Sequence, residues 1–399
     1  MKHVAVMGYG TVGSGVYEVL TKNKNIVSKN VGEELNVKYV LDLREFPGDP
    51  VENVLTHNFD DILNDEEVSV VAEVMGGIEP AYTFTKKCLL AGKSVCTSNK
   101  ALVEKHGAEL LAIAKEKNVN YLFEASVGGG IPIIRPLHTC LMADEIEEIS
   151  GILNGTTNYM LTKMSAEGAD YAEVLKDAQD KGYAERNPEA DVEGHDAGRK
   201  IAILTSLVSG KKVDFEDLYC EGITKVTTAD IAYAKKMGLA IKLLATSKKI
   251  GDQYSIMVTP KMIGAAHPLF AVNDVFNAIF VKGNMLGDSM FYGSGAGKLP
   301  TASAVAGDIV EAAKVTGNTG HFWTEEKLAL ADISTVENKF FVRTTAAAEE
   351  AKAAFGDVQV MDDVAAGEIG FVTEKMTEAA YKECAAKLDG IISMIRVEG

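Results

Sequence analysis

Along the first third of the chain, short apolar runs alternate with stretches whose apolar positions recur at helical spacing. Runs at 3–7, 37–41, 68–75, 94–97 and 119–123 read as strands. The segment from 14 to 20, then 81–90 and 103–117, read as helices between them. Apolar strands separated by helices of this length predict a mostly parallel sheet covered on both faces. Ligands of such sheets lie beyond the carboxyl ends of the strands.

From Arg135 to about Leu299 the rhythm changes. Longer helical stretches at 172–181 and 196–209, with strands near 146–153 and 255–258, predict an inserted α+β domain. A glycine-rich turn at 293–297 then precedes a small-residue helix at 302–315, whose Ala, Gly and Ser permit close packing against the first domain. The stretch 316–324, with Gly317, Asn318 and Gly320, reads as a linker. In the last 65 or so residues, strands at 340–343, 358–360, 368–373 and 391–397 enclose helices at 347–354 and 378–387. That order, βαββαβ, is ferredoxin-like. The expected fold class is therefore α/β, in three parts. A Rossmann-type, doubly wound parallel sheet is built from 1–135 plus about 300–320, an α+β domain from 136–299, and a small module from 335–399.

Composition narrows the function classes. A chain of 399 residues suggests two or three domains, and 47% apolar with 24% charged residues describes a soluble globular protein. The net charge of −17 argues against nucleic-acid or anionic-membrane partners, and a substrate must be attracted locally and not by the overall field. The five cysteines are scattered and lack C-x-x-C spacing, which disfavours both a disulfide framework and a structural zinc site. The chain opens directly on a strand, and no apolar run reaches about 18 residues. The expectation is a cytoplasmic enzyme.

Candidate chemistry begins at Gly8-Tyr9-Gly10-Thr11-Val12-Gly13, a G-x-G-x-x-G turn between a strand and a helix. Gly8 permits the tight turn, Gly10 lets the backbone approach a pyrophosphate, and Gly13 lets the helix pack close to the strand. The helix N-terminus then faces the anion. Thr97-Ser98-Asn99-Lys100 ends the fourth strand at the same carboxyl edge, where Lys100 either reaches a ligand or is simply solvated. Glu124-Ala125-Ser126-Val127-Gly128-Gly129-Gly130-Ile131 follows the fifth strand. It is either a flexible turn or a set of carbonyls which, with a nearby carboxylate, offers oxygen ligands to a cation. Asn154-Gly155-Thr156-Thr157-Asn158 opens a helix, so its free amides either are capped locally or bind a carboxylate.

The segment 182–200 is dense in ionisable groups just before a helix with the apolar stripe Ala197, Ile201, Leu204 and Val208. At helical spacing, Asp196 and Lys200 lie on the shoulder of that stripe and can pair, while His195 and Arg199 point away. Two readings stand: a surface ion pair, or a partly buried lysine able to exchange protons with substrate.

Taken together, these motifs resemble the homoserine dehydrogenase family over roughly residues 1–320. The resemblance rests on the glycine turn, TSNKAL at 97–102, EASVGGGIPII at 124–134, GILNGTTNYML at 151–161, the 182–200 block and GAGKLPTASAV at 295–305. It implies an NAD(P)-dependent enzyme of threonine, methionine and isoleucine biosynthesis that interconverts L-aspartate 4-semialdehyde and L-homoserine. It also implies a homodimer or homotetramer, with 136–299 serving substrate binding and dimerisation. By the same resemblance Lys200 is the proton donor, supported by Asp196 and Lys100. Gly155, Thr156, Tyr183, Glu185, Asp191 and Asp196 contact the amino acid. Glu124, Val127, Gly129 and Ile131 hold a sodium ion, and Gly8, Gly10, Thr11, Val12, Gly13, Ser98, Lys100 and Gly297 meet NADP(H) or NAD(H).

Two features blur the pattern. Asp42 ends the second strand, where an acidic residue usually accepts the ribose hydroxyls of NAD, yet Arg44 follows and is suited to a 2′-phosphate. The C-terminal module resembles an ACT domain, but its first turn reads Arg343-Thr344-Thr345-Ala346-Ala347 in place of the Asp-x-Pro-Gly type. Effector binding is therefore not expected.

Overall fold

A computed structural model describes residues 1–317 and 323–398. Asn318 and Gly320 of the expected linker lie outside the described residues. The chain forms two compact units. One comprises Met1–Glu145, Ala202–Phe215 and Phe291–Leu328; the other comprises Ile146–Ile201, Glu216–Met290 and Ala329–Gly399.

In the first unit the chain runs β1 (Lys2–Met7), α1 (Thr11–Lys22), α2 (Lys24–Val31), β2 (Leu35–Leu41), β3 (Leu55–Thr56) and α3 (Phe59–Leu63). It continues through β4 (Val68–Glu73), α4 (Ala81–Leu90), β5 (Ser94–Thr97), α5 (Lys100–Lys117) and β6 (Tyr121–Leu122). These six strands pair in the order β3-β2-β1-β4-β5-β6, and every pairing is parallel. Val4, Ala5, Val6 and Met7 are all buried, as a strand covered on both faces requires. The chain moves outward from β1 to β3 and then returns to place β4 on the other side of β1. That reversal leaves a crevice at the carboxyl ends of β1 and β4. Helix α5 starts three residues before the expected 103 because Asn99 caps it, its side chain accepting the Leu102 amide at 3.2 Å.

The chain then forms β7 (Ile146–Ile152), α6 (Gly155–Glu167), α7 (Tyr171–Asp180), α8 (Glu189–Val192), α9 (His195–Ser209), β8 (Lys211–Lys212) and β9 (Tyr219–Cys220). Next come α10 (Thr228–Lys236), β10 (Leu239–Ile250), β11 (Gln253–Gly264), β12 (Phe276–Gly283), β13 (Gly287–Ser294), α11 (Lys298–Lys314) and β14 (Thr324–Lys327). The last elements are β15 (Glu337–Thr344), α12 (Ala348–Phe355), β16 (Val360–Met361), β17 (Ile369–Val372), β18 (Met376–Thr377), α13 (Glu378–Ala385) and β19 (Ile391–Glu398). Within the first unit, α11 packs Ala302, Val305, Ala306 and Ile309 into the same core as Val4, Val6 and Val16.

The second sheet has the strand order β13-β12-β7-β10-β11-β19-β15-β17-β16. Its spine is the antiparallel hairpin of β10 and β11, paired from Leu239↔Gly264 to Ile250↔Gln253. The sequence pattern located only 255–258 of this hairpin, because Lys242, Lys248, Lys249 and Lys261 interrupt its apolar rhythm. Two of those lysines are buried. Lys261 Nζ meets Glu398 Oε2 at 2.8 Å, and Lys242 Nζ meets the Val272 carbonyl at 2.5 Å and Asn273 Oδ1 at 2.8 Å. Strands β19, β15, β17 and β16 have the 4-1-3-2 order of a ferredoxin-like sheet, and β19 also pairs in parallel with β11. Beside that junction, buried Arg396 bonds Glu378 through Nε at 2.6 Å and Glu221 through Nη1 at 2.9 Å.

Candidate functional site

Gly8 leaves β1 with φ +101°, a conformation that disfavours any side chain. A Cβ at Gly13 would lie 1.9 Å from the Gly8 carbonyl oxygen, so only glycine permits α1 to start this close to the strand. Gly10 differs: a Cβ there meets no protein atom within 4 Å. Open space therefore lies in front of Gly10, at the N-terminus of a helix whose amides favour an anion. Thr11 is the first residue of α1 and is exposed, while Val12 is half-buried against the core. These features fit a bound dinucleotide.

Gly8, Gly10, Asp42 and Arg44 line one cleft of about 560 Å³ with His57, Phe59, Val74 and Phe84. Asp42 is fastened at its rim. Its carboxylate accepts the Tyr9 amide at 2.8 Å and takes two bonds from the Arg44 guanidinium, each at 2.9 Å. Arg44, followed by the cost of burial in the opposite sense and the Tyr9 amide, leaves that carboxyl well below the usual range. Arg44 also lies 5.2 Å from the Phe46 ring. Its side chain is 61% exposed against 10% for Asp42.

Ser98 and Lys100 are half-buried at the carboxyl end of β5 and do not line this cleft. Beneath them is a carboxylate that the sequence pattern passed over. Glu73 is fully buried, accepting Thr97 Oγ1 at 2.7 Å and the Met75 amide at 2.9 Å. Burial pushes its carboxyl above the ordinary range, against those hydrogen bonds. Its one sequence signal is an acidic residue inside an apolar strand.

The Glu124 side chain accepts three backbone amides, from Ile133, Ile134 and Arg135, at 2.6, 2.8 and 2.8 Å. Its own amide donates to Asp308 Oδ2 at 2.9 Å, and Arg135 Nη2 returns to Asp308 Oδ1 at 2.5 Å. The carboxylate thus shapes the loop. Among the described residues no backbone amide donates to the carbonyls of Val127, Gly129 or Ile131. Those main-chain oxygens, two of them on almost wholly buried residues, suit a monovalent cation better than the occupied carboxylate does. Gly129 is held against the turn before α11, where a Cβ would lie 2.3 Å from the Gly295 carbonyl, and Gly297 with φ +119° caps that helix.

In the second unit, the end of β7 delivers Asn154 as the cap of α6. Its Oδ1 accepts the Thr157 amide at 2.9 Å, while its Nδ2 bridges Asp191 Oδ1 at 2.8 Å and Asp196 Oδ2 at 3.0 Å. Asp196 Oδ2 also holds Lys200 Nζ at 2.8 Å, and Lys200 donates to the Leu153 carbonyl at 2.7 Å. Both ionic side chains are about nine-tenths buried, at 10% and 9% exposure. The surface ion pair is thus ruled out by burial, because α9 is covered on several faces: Ala202, Ile203 and Thr205 are buried as well as the expected stripe, of which Val208 is only half-buried. Gly155 packs where a Cβ would reach the Val275 carbonyl at 2.7 Å. Thr156 Oγ1 donates to the Tyr183 carbonyl at 2.7 Å, and the Tyr183 ring lies edge-on to Tyr159 at 5.0 Å. Glu185 stands outside this hydrogen-bonded chain, exposed, with its carbonyl accepting Gln179 Nε2 at 3.1 Å.

A parallel sheet of this strand order with an anion-binding glycine turn, and a second unit carrying a buried lysine–carboxylate pair, define an NAD(P)-dependent oxidoreductase. Comparison with known proteins makes the assignment specific. The homoserine dehydrogenase family profile matches residues 132–310, and that of the homoserine dehydrogenase NAD binding domain matches residues 8–124. A homoserine dehydrogenase of Bacillus subtilis (strain 168) is 43% identical over 324 residues, covering 79% of this chain and 75% of its own. The crystal structure of a homoserine dehydrogenase from Thiobacillus denitrificans covers 100% of this chain and 98% of its own, with a TM-score of 0.90 and 32% identity. A hyperthermophilic archaeal homoserine dehydrogenase in complex with NADPH covers 78% of this chain and 98% of its own, with a TM-score of 0.67 and 29% identity. The chain belongs to the homoserine dehydrogenase family.

Proposed function

We propose that this protein interconverts L-aspartate 4-semialdehyde and L-homoserine with NADP(H) or NAD(H), in threonine, methionine and isoleucine biosynthesis. The observation that carries this reading is Lys200, buried between Asp196 and the Leu153 carbonyl beside the start of α6. A bound nicotinamide supplies the hydride. Lys200 then protonates the oxygen of the reduced aldehyde, using the one N–H that its two acceptors leave over. Asp196 and the Leu153 carbonyl hold the lysine in place, and Asn154 holds Asp196. Amides of Gly155 and Thr156 orient the substrate carboxylate, Glu185 and Asp191 take its ammonium end, and Tyr183 and Asp196 also contact it. Lys100 and Ser98, with Thr11, Val12 and Gly297, keep the cofactor-side roles that the family resemblance assigns. A sodium ion held by main-chain oxygens of Glu124, Val127, Gly129 and Ile131 would stiffen the loop before Arg135.

The archaeal relative's complex with NADPH supports the phosphorylated cofactor, and Arg44 supplies a partner for its 2′-phosphate. A homodimer or homotetramer is favoured by the sheet edge at β13, flanked by exposed Met285 and Leu286. Among the described residues no helix is long and apolar enough to cross a membrane, and a cytoplasmic location suits a biosynthetic enzyme.

The nearest rival, aspartate-semialdehyde dehydrogenase chemistry, needs an activated cysteine. Burial instead pushes the thiol of Cys88 up to about 12, that of Cys220 up to about 11 and that of Cys96 well above the ordinary range, while Cys140 is exposed and Cys384 half-buried in the C-terminal module. A second rival, a non-catalytic dinucleotide sensor, has no use for the buried Lys200–Asp196 pair. Homoserine-dependent reduction of NADP⁺, followed by the absorbance of reduced nicotinamide near ~340 nm, tests the reading. No absorbance change with homoserine at millimolar concentration would overturn it.

A further inference from the structure

One ionisable group on the rim of the dinucleotide cleft has no part in the reading above. His57 follows β3, lines the cleft with Asp42 and Arg44, and its side chain is 46% exposed. Its Nδ1 lies 2.6 Å from the main-chain oxygen of Asp42, and its Nε2 lies 2.9 Å from Glu45 Oε1. Both partners are acceptors. A neutral imidazole has a single N–H and satisfies one of them, whereas the imidazolium satisfies both. The Asp42 carbonyl, and after it Glu45, accordingly raise the histidine above its ordinary range.

The surrounding charges sharpen the consequence. Asp42 and Arg44 neutralise each other, and Glu45 faces the ring. Asp60 and Asp61 occupy the first turn of α3, and Lys87 of α4 lies 6.0 Å from the Phe59 ring. A 2′-phosphate that draws Arg44 to itself leaves the Asp42 carboxylate facing the same ribose, where it repels the phosphate. A protonated His57, bonded to the Asp42 main chain, offsets that carboxylate; a neutral one does not.

We propose that His57 is a specificity-determining residue, whose proton-dependent positive charge on the cleft rim biases binding toward the 2′-phosphorylated dinucleotide. The inference rests on the reading of this cleft as the adenosine end of the dinucleotide site. It makes cofactor choice a function of pH, with discrimination for the phosphorylated form lost as pH rises and the imidazolium gives up its proton.

The test measures dissociation constants of NADPH and NADH by nicotinamide fluorescence, from about pH 7 to 9, for the full chain and for His57→Gln and His57→Lys. Above about pH 7 the 2′-phosphate is largely ionised, so a pH dependence shared by all three proteins belongs to the phosphate and the difference between wild type and variants belongs to His57. In the wild type the ratio of the NADH to the NADPH constant should fall as pH rises, by at most roughly five- to tenfold between the fully charged and the neutral imidazole. It should be low and flat in His57→Gln, and high and flat in His57→Lys. A flat wild-type ratio, or the same slope in His57→Gln, would overturn the proposal while leaving the cleft assignment intact. Failure of all three folded proteins to bind either dinucleotide would overturn the cleft assignment itself, and the proposal with it.

Discussion

At the scale of single residues, the chemistry turns on how many hydrogen bonds a side chain has left to give. Lys200 has three donors and two acceptor partners, so Lys200→Ala removes a proton donor without touching the glycine turn of the first unit. We expect kcat to fall by about 10²–10⁴ with NADPH binding retained, and more than about a third of wild-type kcat surviving would exclude the lysine as the acid. Glu185 stands apart from that network, so the proposed site gives it a part in binding alone. Glu185→Ala should raise the KM for homoserine with little change in kcat, and an unchanged KM would remove it from the site. In the proposed site, cofactor choice turns first on Asp42 and Arg44, with His57 biasing it. Use of both cofactors with a modest lean to NADP is the expected result at neutral pH. An NAD preference above about tenfold in kcat/KM would mean that the Asp42 carboxylate governs the pocket despite its arginine.

At the scale of elements, two junctions carry testable stability. The first is β1 to α1. Because a Cβ on Gly13 would overlap the Gly8 carbonyl, Gly13→Ala must push the helix off the strand. Overpacking of this kind typically costs about 1–3 kcal/mol, so Tm should fall and dinucleotide affinity with it. A variant with wild-type NADPH affinity would show that the close approach is dispensable. The second junction is β19 to β11, where Glu398 bonds both Lys248 and Lys261, at 2.6 and 2.8 Å. The partners shift unequally. Burial lowers Lys261 even though Glu398 raises it, while the two lysines, against burial, bring Glu398 down to about 2. Geometry supports the Glu398 direction, since both its oxygens face an ammonium. A carboxyl lowered in the fold contributes stability above its unfolded value of about 4.3, lost as pH falls through the folded one. Stability should therefore decline between about pH 4.3 and 2 more steeply in the wild type than in Glu398→Gln. At neutral pH that variant strands the Lys261 charge and should cost about 3–5 kcal/mol in denaturant unfolding. Indistinguishable unfolding midpoints would refute the latch.

At the scale of the whole molecule, the C-terminal module is the element whose regulatory role the sequence leaves open, and the structure supplies a physical argument. Capture of an amino acid at the first turn needs free backbone donors. Here the amides of Thr345, Ala346 and Ala347 donate to the Gly390 carbonyl, Thr344 Oγ1 and Glu350 Oε2, at 3.0, 3.0 and 2.9 Å. With those donors satisfied internally, this turn offers threonine no free amide, and an effector without differential binding shifts no equilibrium. Millimolar threonine should leave the rate unchanged. Clear inhibition that vanishes on truncation after about Asp332 would refute this. The module's sheet is continuous with β11, and Arg343 binds buried Asp230 at 3.0 Å, so its place is structural whether or not an effector exists.

The sequence by itself determined the elements whose information is local. Helix α4 and strand β5 coincide with the patterns that predicted them, because apolar periodicity and turn residues act over a few neighbours. The glycine turn, the Asn154 cap and the order of the C-terminal strands were legible for the same reason. What only the tertiary structure decided are pairings between residues far apart in the chain. The β10–β11 hairpin was obscured by lysines whose charges are met by Glu398 and by the 272–273 loop. Helical spacing placed Lys200 and Asp196 on a shoulder, but their burial and the bridge through Asn154 depend on the end of β7. Glu124 was legible as an oxygen donor, yet the fold turns it into an acceptor of three amides. His57 carried no signal, since a histidine's charge is set by the acceptors that the fold brings to its two nitrogens.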